Sequence, residues 1–131
     1  MEQIKIQTKK EAEVLDITYK VEGAVRKNKW ERGILFLYMP HCTASLIVNE
    51  YGSGLDGDYL ELFKMLKTKK WKHDLVDGNA YAHLANTIVG TEKFFIVENG
   101  KLQLGKWQSI MLVELDGPRE REVLLEFLER K

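Results

Sequence analysis

The sequence predicts one α+β domain whose strands are mostly antiparallel, and three observations carry that reading. Short apolar/polar alternations recur along the chain, three segments instead repeat their apolar residues at helical spacing, and Asn99-Gly100 supplies a hairpin turn between strand-like runs. At 131 residues the chain has the length of a single domain, spanning 1–131, with no Pro-rich linker, low-complexity stretch or internal repeat to divide it. Hydrophobic residues at 44% and charged residues at 31% suit a globular fold and exclude a disordered or collagenous chain.

Gln3 to Thr8 alternates Ile4 and Ile6 with polar neighbours, and Glu13 to Thr18 does so with Val14 or Leu15 and Ile17, so both read as short strands joined near Lys9-Lys10. From Ile17 onward Val21, Ala24 and Val25 recur at helical spacing, which predicts a helix of about three turns before Gly33. Ile34 to Met39 is a continuous apolar run and reads as a strand buried on both faces. Pro40 interrupts it, Ala44 to Val48 resumes a strand, and Tyr51 to Gly57 is a Gly-rich turn. Tyr59, Leu62, Phe63 and Leu66 give one apolar face to a helix over Asp58 to Lys67, and another helix runs from near Asn79 to Val89, stopping at Gly90. Phe94 to Val97, Leu102 to Leu104 and Gln108 to Leu115 read as strands. The tail from Arg119 to Lys131 fits either state, because Val123, Leu125 and Phe127 alternate whereas Leu124, Leu125 and Leu128 suit a helix.

Twenty basic residues offset twenty acidic ones, so no global field draws in nucleic acid or anionic lipid, and anion binding has to come from a local cluster. The one cysteine, Cys42, cannot close an internal disulfide, which makes a reducing cytoplasm the simpler expectation. Met1 to Lys20 holds no apolar leader, and the longest apolar run is far too short to span a bilayer, so neither a targeting nor a membrane segment is expected.

The three histidines all stand beside polar loops or helix starts: His41 after Pro40, His73 before Asp74, and His83 four residues after Asn79. Imidazole is the commonest metal ligand, Asp74 could orient one from behind, Asp77 could join them, and Asn79 and His83 share a helix face. Taken singly, each is more simply structural, with Asp77 or Asn79 capping the helix, and no spacing matches a strong metal motif. In Glu114-Leu115-Asp116-Gly117-Pro118-Arg119-Glu120-Arg121, Arg119 and Arg121 would share a strand face suited to a phosphate, and Glu114 and Asp116 could hold magnesium. A charged turn with surface ion pairs is the plainer account. Lys64, Lys67, Lys69, Lys70 and Lys72 surround Trp71, a pattern better explained by a solvated helix end than by nucleic-acid contact. Cys42 beside His41 could be an activated thiol, although a small buried core residue is the better expectation.

Read together, several separated blocks resemble the YjbQ family, an uncharacterised family later associated with a secondary thiamine-phosphate synthase activity. The blocks are His41-Cys42-Thr43-Ala44-Ser45-Leu46 with Asn49-Glu50, His73-Asp74 with Asp77, Asn79-Ala80-Tyr81-Ala82-His83-Leu84, and Gly90. They continue through Glu98 to Gln108 and Glu114-Leu115-Asp116-Gly117-Pro118-Arg119, in order along most of the chain. The resemblance implies two mostly antiparallel sheets packed as a sandwich with two to three helices, a strand over Arg121 to Leu128, and a homotrimer whose apolar faces meet at subunit contacts.

It also implies an enzyme that joins an aminopyrimidine diphosphate to a thiazole phosphate and releases pyrophosphate. Arg119, Lys106, Arg121 and Asn79 would then bind phosphate, and His41, His73 and His83 would touch a metal or the leaving group. Asp74 and Asp77 would bind the metal or orient a histidine, with Glu114 and Asp116 as lesser candidates. The implied cofactor is a divalent metal, Mg2+ for catalysis or Zn2+ at the histidine cluster; the implied partners are phosphorylated small molecules, with no nucleic acid and no membrane. Two residues depart from the family pattern, Lys106 and Cys42 each standing where threonine is usual, and Tyr51 to Gly57 lacks the usual acidic, proline-containing loop. The alternative is a trimeric metal- or anion-binding protein with a structural histidine cluster and incidental activity.

Overall fold

The computed structural model describes residues 1–131. The alternating segments form β1 (Glu2–Gln7), β2 (Glu13–Asp16), β3 (Arg32–Tyr38) and β4 (Ala44–Asn49), and the helical spacing after Ile17 forms α1 (Thr18–Lys27). The helices α2 (Leu55–Lys64) and α3 (Ala80–Val89) follow, then β5 (Glu92–Glu98), β6 (Lys101–Leu102), β7 (Ser109–Glu114) and β8 (Glu120–Glu129). Asn99 takes a positive φ of 54° and Gly100 one of 72°, as the hairpin between β5 and β6 requires.

All strand pairs are antiparallel, in a five-stranded sheet of order β1-β8-β3-β5-β6 and a three-stranded sheet of order β2-β7-β4. Leu35, Leu37, Val97, Val123 and Leu125 of the large sheet meet Leu46, Ile110 and Leu112 of the small one, with Val21, Ala24 and Val25 of α1 completing that core. The period-2 geometry turns Met111 and Val113 to the other side of the small sheet, where Phe63 of α2 and Tyr81, Ala82 and Ala85 of α3 cover them. The layers are therefore large sheet, small sheet and helix pair, with β7 packed on both faces. Where β3 crosses β8 a glycine is required: a Cβ on Gly33 would lie 2.1 Å from the Leu128 carbonyl oxygen, beside the stacked rings of Trp30 and Phe127 at 5.2 Å.

The two-sheet arrangement with three helices agrees with the expected α+β plan, and the ambiguous tail is strand throughout Glu120–Glu129. Some expectations need correcting. The run Ile34 to Met39 is not buried on both faces: Leu35, Leu37 and Met39 point inward, whereas Phe36 and Tyr38 remain 43% and 49% exposed. Apolar character there marks an uncovered sheet face, not a doubly buried strand. The helix expected at Asp58 begins at Leu55, taking in the end of the Gly-rich turn, and its last residues tighten into a 3-10 turn, Met65–Thr68. The strand expected over Leu102 to Leu104 is only Lys101–Leu102. Cys42 is exposed and not a core residue, because it lies in the bend before β4 while Thr43 turns inward.

Candidate functional site

Two elements carry most of the chemistry-bearing residues: the turn from β7 into β8, and α3 with the segment leading to it. At the end of β7 the side chain of Glu114 is fully buried, and Arg121, seven residues on, is 2% exposed. The Arg121 Nε donates to Glu114 Oε1 at 2.8 Å, and its Nη2 donates to Glu114 Oε2 and to Thr43 Oγ1. Glu114 also accepts the Asp116 N–H at 3.0 Å, and the Thr8 hydroxyl lies 2.8 Å from Oε1. Burial pushes this carboxyl up, but the Arg121 fork, the Asp116 amide and the Thr8 hydroxyl together hold it below the usual carboxylate range.

The arrangement removes two sequence expectations. Arg121 does not join Arg119 in a phosphate grip, since its guanidinium is spent inside the protein. Glu114 is no magnesium ligand either, because both its oxygens already accept hydrogen bonds. The ion pair here is buried, not a feature of a solvated turn.

Asp116 is the hinge between the two elements. Its Oδ2 accepts from Asn79 Nδ2 at 2.9 Å and from Arg119 Nη2 at 3.2 Å, while its carbonyl accepts from Arg119 Nε at 2.8 Å. Arg119 is thus aimed by two bonds yet leaves its side chain half exposed. Asn79 Oδ1 is buried without a partner, an unpaired acceptor at the start of α3. The turn itself needs Gly117, where a Cβ would lie 2.3 Å from the Lys10 carbonyl oxygen and 2.9 Å from Thr8 Oγ1.

His41 sits against the same buried pair. Its Nε2 accepts the Glu122 N–H at 3.0 Å, so the ring acts as a neutral acceptor. Burial lowers its pKa, and the nearby Arg121 cation pushes in the same direction. On α3, Asn79 at the N-cap, His83 and Asn86 follow at i, i+4 and i+7, forming a polar stripe on an otherwise apolar helix. Asn86 donates to the carbonyls of His41 at 3.1 Å and Ala44 at 2.6 Å, locking α3 to the start of β4. Sequence reasoning missed Asn86, and its signal was that i, i+4, i+7 spacing.

His73 and His83 come together, ring centroids 4.7 Å apart and edge to face, and His73 Nε2 is 3.7 Å from Asp77. Asp74 faces the backbone: it accepts the Trp71 N–H at 2.9 Å and the Ala80 N–H at 3.1 Å, tying its 3-10 turn (Lys72–Leu75) to the first residue of α3. Those two amides hold its carboxyl below the usual range. No set of three or more His, Cys, Asp or Glu side chains is arranged to hold a metal ion within one subunit. His41, His73, His83, Asp74 and Asp77 thus do not assemble into one metal shell there. Lys106 lies on the exposed loop before β7, its ammonium 5.1 Å from the centroid of the Trp107 ring.

The fold and the site define an α+β protein of two antiparallel sheets whose small-sheet central strand ends in a polar turn packed against a histidine-bearing helix. The chain belongs to the YjbQ family, whose description, UPF0047 protein YjbQ-like, matches residues 2–130. A UPF0047 protein of Archaeoglobus fulgidus is 41% identical over 128 residues, which cover 96% of this chain and 99% of that protein. The UPF0047 protein YugU of Bacillus subtilis is 36% identical over 129 residues, covering 95% and 96%. The crystal structure of a hypothetical protein from Aeropyrum pernix superposes with a TM-score of 0.94 at 43% identity, covering 98% of each chain. A YbjQ-like protein of unknown function from Sulfolobus solfataricus gives 0.93 at 42% identity, over 98% of this chain and 96% of that one. No helix of this chain is long and apolar enough to cross a membrane.

Proposed function

We propose that this protein has a secondary thiamine-phosphate synthase activity, condensing an aminopyrimidine diphosphate with a thiazole phosphate. The observation that carries the reading is Arg119, aimed by Asp116 beside the unpartnered Asn79 oxygen. In the reaction the methylene carbon–oxygen bond of the pyrimidine breaks and diphosphate leaves with its electron pair. The thiazole nitrogen gives its lone pair to that carbon and becomes the thiazolium. Charge builds on the leaving oxygens, on the side of His73 and His83, while the pre-aimed Arg119 guanidinium holds the thiazole phosphate. Asn79, donating through Nδ2 to Asp116, helps to fix the carboxylate that aims Arg119. His73 and His83 stand as donors to phosphate oxygens when protonated. The residues of one subunit do not fit a resident metal cage, so the divalent ion of this proposal is the Mg2+ that accompanies a diphosphate in solution.

The assembly we propose is a homotrimer, supported by the outward face of the large sheet. Phe36, Tyr38, Phe94, Ile96 and Leu128 are all exposed there, Phe36 opposite Phe94 and Ile34 opposite both Ile96 and Leu128. A contiguous apolar face of this kind is unusual on a monomer. The exposed Cys42 thiol suits a reducing cytoplasm. The second reading, a trimeric anion-binding protein with structural histidines, is favoured by the His41 ring, whose Nε2 is committed to the Glu122 amide. Purified protein with both precursors and Mg2+ distinguishes them. Product that scales with enzyme and is lost in Arg119→Ala, with fold and assembly intact, supports the synthase; no product from well-folded protein overturns it.

A further inference from the structure

From Leu62 to His73 the chain has five lysines and no acidic residue, in a protein of zero net charge. Lys64 is paired with Glu61 at 3.5 Å, but the ion pairs of the protein include none with Lys67, Lys69, Lys70 or Lys72. Asp74, the nearest following carboxylate, is turned to the backbone amides of Trp71 and Ala80 and forms no ion pair with these lysines. Such a charge run would be only a solvated loop if its side chains pointed at random into water. Two of them do not: Lys67 Nζ is held 4.2 Å from the Tyr81 ring centroid and Lys69 Nζ 4.8 Å from that of Trp71. Trp71 is itself fixed, its indole N–H donating to the Leu66 carbonyl at 2.8 Å.

Lys69, Lys70 and Lys72 line a cavity of about 460 Å³ together with the His73 and His83 rings, and Trp71 and Leu84 supply its apolar wall. The volume is that of a small-molecule site, and the combination of a flat apolar wall with a rim of unpaired cations defines the ligand chemistry. A strand of nucleic acid needs a positively charged groove tracking its backbone, whereas this charge is confined to one loop.

We propose that this cavity binds the diphosphate ester of a flat heterocycle, with the diphosphate among Lys69, Lys70 and Lys72 and the ring against Trp71 and Leu84. The identity of the ring and of the diphosphate rests on the synthase reading; that the cavity takes an anion beside a flat apolar wall does not. The lysine loop is then the binding site for the charged tail of one substrate, and free pyrophosphate, a product of that reaction, competes for it.

Isothermal titration of the purified full chain with inorganic pyrophosphate tests this. One site per subunit is expected, with affinity falling as salt rises. The variant Lys69→Gln/Lys70→Gln/Lys72→Gln should bind about 10- to 100-fold more weakly. The control Lys9→Gln/Lys20→Gln/Lys131→Gln, which removes the same charge elsewhere, should bind as the parent does. The single reversal Lys70→Glu should weaken binding in the same direction with the least change to the loop. Absence of binding by the folded parent, equal loss in the control, or binding of a single-stranded oligonucleotide that pyrophosphate does not displace would each overturn the proposal. Pyrophosphate binding without synthase turnover removes the synthase and leaves the site. Turnover with an unchanged KM for the pyrimidine diphosphate in the triple lysine variant removes the site and leaves the synthase.

Discussion

Replacing Arg121 by leucine keeps an apolar stem in the core and deletes the guanidinium that neutralises Glu114. In the parent the Glu114 side chain is 0% exposed and its oxygens meet Arg121 Nε and Nη2, the Thr8 hydroxyl and the Asp116 N–H. The variant leaves only the last two. Stripping a buried pair of one partner costs about 3–5 kcal/mol, because the remaining charge is buried without compensation. With an unfolding entropy of about 2.1 cal/mol/K per residue, a chain of this length loses about 11–18 °C in Tm.

The pH dependence changes sign as well. In the parent, the depressed Glu114 pKa contributes stability that is present above its ordinary value of 4.5 and is lost as pH falls through the folded value. Without Arg121, burial is opposed only by the Thr8 and Asp116 hydrogen bonds, so the folded Glu114 pKa should rise above 4.5, and lowering the pH toward 5 should relieve part of the damage. Urea unfolding followed by circular dichroism at pH 7 and pH 5, at one fixed protein concentration, measures both effects. The double variant Glu114→Leu/Arg121→Leu should be more stable than Arg121→Leu alone. A cost below about 1 kcal/mol, or damage that deepens at pH 5, would refute the buried-pair argument.

His41 accepts a backbone N–H and has a folded pKa below 6.5, so stability is full above that value and falls as pH drops through the window beneath it; His41→Gln should flatten this slope in urea titrations. Gly117→Ala places a Cβ 2.3 Å from the Lys10 carbonyl oxygen and should cost about 1–3 kcal/mol or more by thermal unfolding, whereas full stability would show that the turn can shift. Asp74→Ala frees the Trp71 and Ala80 amides, and hydrogen exchange at both should accelerate while exchange in β7 stays as it was. Phe36→Asp charges the uncovered sheet face and should shift sedimentation of the proposed trimer to that of a monomer; an unchanged sedimentation coefficient would move the interface elsewhere.

Most strands and the helices were legible because each shows one periodicity, whereas β8 was not, because its apolar residues fit two. Ile4 and Ile6 alternate, Val21, Ala24 and Val25 repeat at helical spacing, and Asn99-Gly100 marks its own turn. The face of Ile34 to Met39 was not legible, since an outward Phe36 and Tyr38 look the same in sequence as buried ones. In the site, Asp116, Arg119, Asn79 and the histidines stood out by residue chemistry, and the fold brings the first three together and pairs His73 with His83. Their division of labour did not stand out. Arg121 and Glu114 read as surface charges because only the fold brings Thr8, Thr43 and the end of β7 around them. Asp74 read as a partner for imidazole because the amides of Trp71 and Ala80 become its neighbours only when the 3-10 turn forms.

Packing on both faces of β7 separates a fixed part of the site from an adjustable one. The strand that delivers Glu114 and Asp116 is held between the sheet core and the helix pair, so the turn beyond it inherits the stiffness of two cores. The stretch from Met65 to Gly78, by contrast, contributes no residue to either buried cluster, and reaches one through Leu66 and through Lys67 over the Tyr81 ring. Grafting a different sequence into that stretch is therefore a way to exchange the ligand preference of this scaffold while its stability, set by the strands beneath, stays nearly constant.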